Sequence, residues 1–454
     1  MKIIIVGCGK VGLTLAEQLT KEKHNVTVID KNYNKLRAIT DSIDVMCIEG
    51  NGICTPTLME AGIDTADIII STMETDEKNV MCTLIAKSLG HCQAIARIRN
   101  SSYVDEIRNI KDQLNMSIVL NPDKAAAEEI GKLALYPSSV KRIDSFARGR
   151  INVVSLTIPD GAVIEGYRIK DISKVVKANI LICAIERDGD VIIPDGNTIL
   201  HGGDVISIVG LHTQQNLFFK ELKMATDMPK SMMIIGGSNI AYYLAKAVES
   251  TMAVKIIDVD LERCKELSML LEKTTIINGD ASNQQLLLEE GIESTDAVVT
   301  LTGIDEENIM ISLYASSVSD ARVITKINRI TFENVISTLN VGSVVNPKVI
   351  TADHITQYVR GMQNSLGSNI ETLYTLAGGK AEALEFRVTK DFKKLNIQLM
   401  DLQLKSNLLL ACIYRQGKVL VPGGHDYLQE SDTVIVVTTQ TGLNDLNDVL
   451  DMRA

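Results

Sequence analysis

Met1-Lys2-Ile3-Ile4-Ile5-Val6-Gly7-Cys8-Gly9-Lys10-Val11-Gly12 opens the chain, and Val26-Thr27-Val28-Ile29-Asp30 follows it. The first stretch reads as a buried strand, a glycine-rich turn and a helix start. The second reads as a strand ending in a carboxylate. A chain that holds a dinucleotide has this layout. Gly7 permits the tight turn out of the strand. Gly9 lets the backbone approach a pyrophosphate, and Gly12 lets the helix pack closely on the sheet. The helix N-terminus offers free N–H groups and a partial positive charge to the phosphates. Asp30 accepts from ribose hydroxyls and repels a 2′-phosphate, which favours NAD over NADP.

The same writing returns in the second half, with about 228 residues separating Asp30 from Asp258, a period that means duplication and not a solenoid. Met232-Met233-Ile234-Ile235-Gly236 answers the first strand, and Val254-Lys255-Ile256-Ile257-Asp258 answers the second. Gly50-Asn51 returns as Gly279-Asp280, Asp76-Glu77-Lys78-Asn79 as Asp305-Glu306-Glu307-Asn308, and Asn121-Pro122 as Asn346-Pro347.

Within the first copy, apolar runs at 2–6, 26–29, 45–48, 67–71, 94–98 and 117–120 predict strands. Helices are predicted to begin near 11, 34, 55, 77, 103 and 123. Short, continuously apolar strands separated by helices predict a parallel, doubly wound α/β sheet. A smaller unit follows each copy. Leu181 to Ile185, Arg187, Gly189, Pro194, Gly196 and Asp204 match Leu409 to Ile413, Arg415, Gly417, Pro422, Gly424 and Asp432. Alternating strands with Gly and Pro turns predict a small α+β domain. The expected division is 1–135, 140–224, 230–360 and 369–454, with linkers at Tyr136 to Ser139, Ala225 to Pro229 and Ser365 to Ser368.

The candidate site of the first copy comprises Gly7, Cys8, Gly9, Lys10, Val11, Gly12 and Asp30. To these are added Gly50, Asn51, Thr72 and Asp76, which follow strands three and four, where ligands bind in open α/β sheets. Lys10 is either a phosphate contact or an exposed helix-start lysine. Asp76 and Asn79 either face the crevice or cap the next helix. The second copy departs from the pattern: its loop reads Gly236-Gly237-Ser238-Asn239-Ile240-Ala241. Ser238 narrows the approach to the pyrophosphate, Asn239 removes the charge of Lys10, and Asp258 keeps the ribose carboxylate. Weaker binding, or a different nucleotide, is expected there.

Composition excludes other classes. A net charge of −11 disfavours nucleic acid and direct docking on anionic lipid, and suits the basic cytoplasmic loops of membrane proteins. No apolar run approaches the ~18 residues of a membrane span, and a cytoplasmic protein without membrane insertion is expected. The eight cysteines form no C-x-x-C pair and the six histidines have no zinc-site spacing, so no metal site is expected. No proton-transfer cluster, Walker A lysine or nucleophile elbow appears, so no catalytic residue is assigned. An NAD-dependent oxidoreductase with a duplicated fold is the alternative reading.

The glycine loop, Asp30, the Asp76-Glu77-x-Asn79 element and the small unit behind them resemble the RCK modules that regulate potassium conductance. The order RCK-N, RCK-C, RCK-N, RCK-C resembles the tandem regulatory subunits of Trk-type potassium uptake. The resemblance implies a non-enzymatic cytoplasmic subunit that binds NAD(H), with ATP and ADP as further ligands. It implies a homo-oligomeric ring, expected to be a tetramer, held at the inner membrane face by a potassium-translocating partner. It also implies Met73, Glu74 and Arg97 for the first site and Lys326 for the second, beside Gly279 and Asp280.

Overall fold

Four buried residues in a row, Ile3 to Val6, give the first strand no solvent face, so both its edges and both its faces must be covered. The computed structural model meets that demand with a six-stranded parallel sheet. It describes residues 1–110, 114, 116–147, 150–224, 228–329, 333–336, 339–364, 370–376, 380–440 and 442–451. The chain divides into two units, Met1–Glu129 with Ser238–Leu244 and Asn346–Val359, and Ile130–Gly237 with Ala245–Val345 and Arg360–Ala454.

In the first unit β1 (Lys2–Val6), β2 (Asn25–Asp30), β3 (Met46–Glu49), β4 (Ile68–Ser71), β5 (Gln93–Arg97) and β6 (Ile118–Leu120) pair in the order β3-β2-β1-β4-β5-β6. All five pairings are parallel. The crossovers are α1 (Lys10–Lys21), α2 (Tyr33–Thr40), α3 (Thr55–Glu60), α4 (Asp76–Leu89) and α5 (Ser101–Ile110), and α6 (Pro122–Ala134) follows β6. Helix α1 buries Val11, Gly12, Leu15, Ala16 and Leu19, one stripe at helical spacing. Strand order reverses between β1 and β4, which opens a crevice at their carboxyl ends. Observed strands agree with the sequence reading to within one residue at nearly every end.

In the second unit β7 (Val140–Phe146), β8 (Ile151–Thr157), β9 (Leu181–Arg187), β10 (Asp190–Ile192) and β11 (Val205–Gly210) form an antiparallel sheet, order β10-β9-β11-β8-β7, followed by α7 (His212–Glu221). The second parallel sheet uses β12 (Ser231–Ile235), β13 (Ala253–Asp258), β14 (Thr275–Asn278), β15 (Ala297–Thr300), β16 (Arg322–Lys326) and β17 (Ser343–Val345), order β14-β13-β12-β15-β16-β17. Its helices are α8 (Asn239–Val248), α9 (Leu261–Leu270), α10 (Gln284–Glu289), α11 (Asp305–Val318), α12 (Glu333–Ile336) and α13 (Pro347–Asn364). Residues of α8 and α13 fall in both units. Finally β18 (Ile370–Leu376), β19 (Ala381–Arg387), β20 (Leu408–Arg415), β21 (Lys418–Leu420) and β22 (Thr433–Thr438) repeat the small sheet in the order β18-β19-β22-β20-β21.

The duplicated α/β plus α+β architecture is as expected from the sequence. The two small sheets share one core: Phe146, Val153, Cys183 and Val209 pack with Ala383, Cys412, Ile435 and Val437. Tyr136 to Ser139 is not a free linker. Tyr136 is buried, and Val140 N–H donates to the Pro137 carbonyl at 2.9 Å, a tight turn into β7. Residues 225–227 and Ser365 to Ser368 of the other expected linkers lie outside the described residues.

Candidate nucleotide site

The first glycine loop divides into structural glycines and one open glycine. Gly7 has φ +101, and a Cβ there would stand 2.9 Å from Met73 N and the Thr72 carbonyl. At Gly12 a Cβ would stand 2.0 Å from the Gly7 carbonyl oxygen. Gly9 differs: its backbone is extended (φ −78, ψ −173) and a Cβ there meets nothing within 4 Å. That open space lies at the N-cap of α1, where no side chain caps the helix. An anion fits this cradle, because the first-turn N–H groups have no intrahelical acceptor.

Asp30 sits at the end of β2 beside the loop. Its Oδ2 accepts from Cys8 N–H at 2.6 Å and its Oδ1 from Asn32 N–H at 2.8 Å. One bond per oxygen leaves lone pairs for ribose hydroxyls. Burial, and next the Asp30 charge, push the Cys8 thiol up to about 11, so it stays protonated at neutral pH. Gly50 N–H donates to the Asp30 carbonyl, which holds the β3 end next to β2, and the Asn51 carbonyl receives Cys54 N–H in the turn that follows.

The ends of β4 and β5 are tied by one buried amide. Asn79 Oδ1 accepts from Ser71 Oγ (2.8 Å) and Met73 N–H (2.7 Å), and its Nδ2 donates to the Arg97 carbonyl (2.8 Å). Thr72 Oγ1 donates to the Gly7 carbonyl at 2.9 Å, joining β4 to the loop. Neither Asp76 nor Asn79 is the helix cap. Thr75 caps α4 by accepting from Lys78 N–H, and Asp76 Oδ2 accepts from Arg99 and Asn100 N–H. Glu74 is exposed, and its ion pair with Lys78 draws its carboxyl below the usual range.

Beside the loop lies a cavity of about 280 Å³. Lys10, Arg97, Arg99 and Lys348 line it, with Asp123 as the one carboxylate among its lining residues. Lys10, Pro122 and Pro347, the first residues of α1, α6 and α13, border it too. Arg97 Nη2 donates to the Met73 carbonyl at 2.6 Å, while its Nε is buried without a partner. Burial, and then the neighbouring Arg99 charge, lower the Arg97 pKa. Of these lining residues the sequence offered Lys10 and Val11 as candidates from the glycine loop, and Arg97 through the resemblance. It did not offer Arg99, Asp123 and Lys348, since no local motif marks them.

In the second repeat Gly236 (φ +98) repeats the role of Gly7, and Asp258 again accepts from the loop, through Gly237 N–H, and from Asp260 N–H. Arg263 Nε donates to the Gly237 carbonyl at 2.6 Å and Nη1 to Glu266 at 2.6 Å. Lys326 is buried, and its Nζ donates to the Leu301 carbonyl at 3.0 Å. Asn308 ties the strand ends as Asn79 does. Gly279 N–H donates to the Asp258 carbonyl, and Asp280 accepts from Ser282 N–H. Ser238, Asn239 and Ile240 belong to the first unit, where the Ser238 carbonyl receives Tyr242 N–H and Ile240 is buried. Among the described residues no three His, Cys, Asp or Glu side chains are grouped to hold a metal ion, and no helix is long and apolar enough to cross a membrane.

A parallel sheet in the order 3-2-1-4-5-6, with a carboxylate at the end of its second strand, defines a Rossmann-type module, present here twice, with the full glycine loop in the first copy. The TrkA-N domain family matches residues 3–122 and 232–347, and the TrkA-C domain family matches 153–223. The Trk system potassium uptake protein TrkA of Haemophilus influenzae is 30% identical over 443 residues, 96% of this chain and 95% of that protein. A TrkA homolog of Archaeoglobus fulgidus is 29% identical over 437 residues, covering 96% and 97%. The chain belongs to the TrkA family. Among solved structures, the GsuK RCK domain covers 97% of this chain and 92% of its own (TM-score 0.60, 17% identity). The GsuK channel bound to NAD covers 97% and 77% (TM-score 0.59, 16% identity). These two likenesses establish the tandem RCK fold.

Proposed function

We propose that this chain is the cytoplasmic, nucleotide-binding regulatory subunit of a Trk-type potassium uptake system. The observation that carries the reading is the open cradle at Gly9, set at an uncapped helix N-terminus between Asp30 and a cationic cavity. Membership in the TrkA family supports the potassium-uptake context. The four modules at 1–135, 140–224, 230–360 and 369–454 act as two nucleotide folds, each with a small partner. The ligand is NAD(H), with ATP and ADP as competitors for the same loop, and the related GsuK channel binds NAD. The chain has no enzymatic role. It assembles as a homo-oligomeric ring, a tetramer, on the cytoplasmic face of its membrane potassium-translocating partner.

Gating requires only differential binding. A nucleotide shifts the ring toward the geometry it binds more tightly, by the difference in affinity. Moving a gate from mostly shut to mostly open takes about 5.5 kcal/mol, which several sites share in an oligomer.

Titration calorimetry of the purified chain with NAD⁺, NADH, ATP and ADP tests the reading. Micromolar binding without turnover is expected, weakened at least tenfold in Asp30→Ala. Turnover of a bound dinucleotide would instead favour the oxidoreductase alternative. Asp30 also anchors the Cys8 and Asn32 backbone, so a melting curve must accompany the variant.

A further inference from the structure

The last helix of the first nucleotide fold begins at its crevice and ends on the second repeat. Pro122 and Asp123 open α6 and line the cavity beside the first loop. Asn121 fixes that end: its Oδ1 accepts from Lys124 N–H at 2.8 Å, and its Nδ2 donates to the Arg99 carbonyl at 3.3 Å, just past β5. The helix is about 20 Å long. Its residues up to Glu129 fall in the first unit, and those from Ile130 fall in the second. At the far end the Ala134 carbonyl accepts from Arg322 Nη1 at 3.1 Å, and Arg322 is the buried first residue of β16. A guanidinium suits that place, because the last carbonyls of a helix lack intrahelical donors and carry partial negative charge.

Little slack separates this end from β7. Leu135 N–H donates to the Lys132 carbonyl and Tyr136 N–H to the Leu133 carbonyl, both at 3.0 Å, and the buried Tyr136 ring meets Phe219 edge-on. Strand β7 then packs against β17, the outer strand of the second parallel sheet. Ser343 Oγ donates to the Val140 carbonyl at 2.6 Å, and Lys141 Nζ to the Gly342 carbonyl at 3.3 Å. These bonds hold the exit of the first fold onto β16 and β17.

The first sheet lacks the same residues at the matching places. Gln93 opens β5 where Arg322 opens β16, and Ile118 opens β6 where Ser343 opens β17. Strand β6 is half-buried at every residue, whereas β17 buries Ser343 and Val345. Both sheets have one strand order, so that order does not demand the arginine or the serine. What the two side chains meet is the exit of the first repeat.

We propose that α6 is a lever between the two nucleotide folds, and that Arg322 and Ser343 are the positioning residues through which occupancy of the first loop reaches the second parallel sheet. The proposal rests on the reading of the Gly9 loop as a nucleotide site. A ligand that favours one position of Pro122 and Asp123 favours one position of Ala134, since a packed helix moves as a body. The coupling is reciprocal: the second sheet changes affinity at the first loop by the same factor.

Hydrogen exchange of the full-length chain, with and without saturating NAD⁺, NADH, ATP or ADP, tests it in wild type, Arg322→Gln, Arg322→Lys and Ser343→Ala. Glutamine is the residue that β5 carries at this place. In wild type the bound nucleotide is expected to slow exchange around Gly9 and Asp30, and to slow it about fivefold at β16 and β17. Arg322→Gln and Ser343→Ala are expected to keep the first effect and lose most of the second, and Arg322→Lys, which keeps the charge, to restore part of it. The quantity read is the change on adding nucleotide, which a uniform loss of stability does not remove. Ser343→Ala deletes one hydroxyl, and carries the test alone if Arg322→Gln does not fold. Gly9→Val is expected to abolish both effects. Slowing at β16 and β17 that survives in folded Arg322→Gln and Ser343→Ala, or in Gly9→Val, would overturn the proposal, as would its absence from a wild type protected at the first loop. Wild type protected at neither place by any of the four would overturn the loop reading itself, and the lever with it.

Discussion

Gly9→Val is expected to weaken nucleotide binding at least 100-fold, about 2.7 kcal/mol, while leaving the fold intact. The backbone at Gly9 is extended, with φ −78 and ψ −173, which a β-branched residue adopts without strain. Its Cβ would point into space empty to 4 Å, so no neighbour has to move. The valine methyls would then stand where the pyrophosphate must approach the N–H groups of α1. The neighbouring glycines make the control. At Gly12 a Cβ would lie 2.0 Å from the Gly7 carbonyl oxygen, so Gly12→Val should lower stability as well as binding. Calorimetric titration paired with thermal melts separates the two. Intact nucleotide affinity in a folded Gly9→Val chain would remove the loop from the binding site.

Arg187→Ala is expected to destabilise the chain by about 3 kcal/mol, with an equal effect for Arg415→Ala. Arg187 meets Asp204 with a two-point fork, Nε to Oδ1 and Nη2 to Oδ2, both at 2.7 Å. Asp204 is 2% exposed, so truncating the arginine leaves a buried carboxylate that the His201 N–H still supports. Arg415 and Asp432 repeat the fork at 2.8 and 2.7 Å. Burial would raise the Asp204 carboxyl, but Arg187 and the His201 N–H outweigh it and hold the group below the usual carboxylate range. A depressed native pKa adds stability above the unfolded value of about 3.9, which is lost as pH falls through the native value. The deficit of Arg187→Ala should therefore be full at pH 7 and shrink below about pH 4, as melts across that range would record. A deficit that is constant with pH would mean that lost packing, and not the ion pair, is the cause.

The strands, the glycine loop and the duplication were legible because each is local. Ile3 to Val6 ends at a glycine whose positive φ forces a turn, and the same short pattern recurs at Met232 to Gly236. Asp30 was legible because its distance from the loop is fixed by one helix and one strand. Lys348 was not, because the fold brings it beside Lys10 from the far end of the second repeat, and no short motif records such a meeting. The sequence left Asn79 open between the crevice and a helix cap for a related reason. A polar residue in the first turn of a helix suggests a cap, but total burial between two strand ends gives its amide other partners. The Arg187 fork was visible only as matched letters, since Arg187 and Asp204 meet across β9 and β11. The shared core of the two small sheets had no sequence signal beyond the alternation that each sheet shows alone.

The most direct test of the central claim is potassium flux into vesicles that carry the membrane-spanning Trk subunit from the same cell, with this chain added outside at the cytoplasmic face. Flux is expected to change at least tenfold with the nucleotide found to bind by calorimetry, and to stop responding in Gly9→Val. Flux that ignores every nucleotide, or that responds equally with folded Gly9→Val, would contradict that claim.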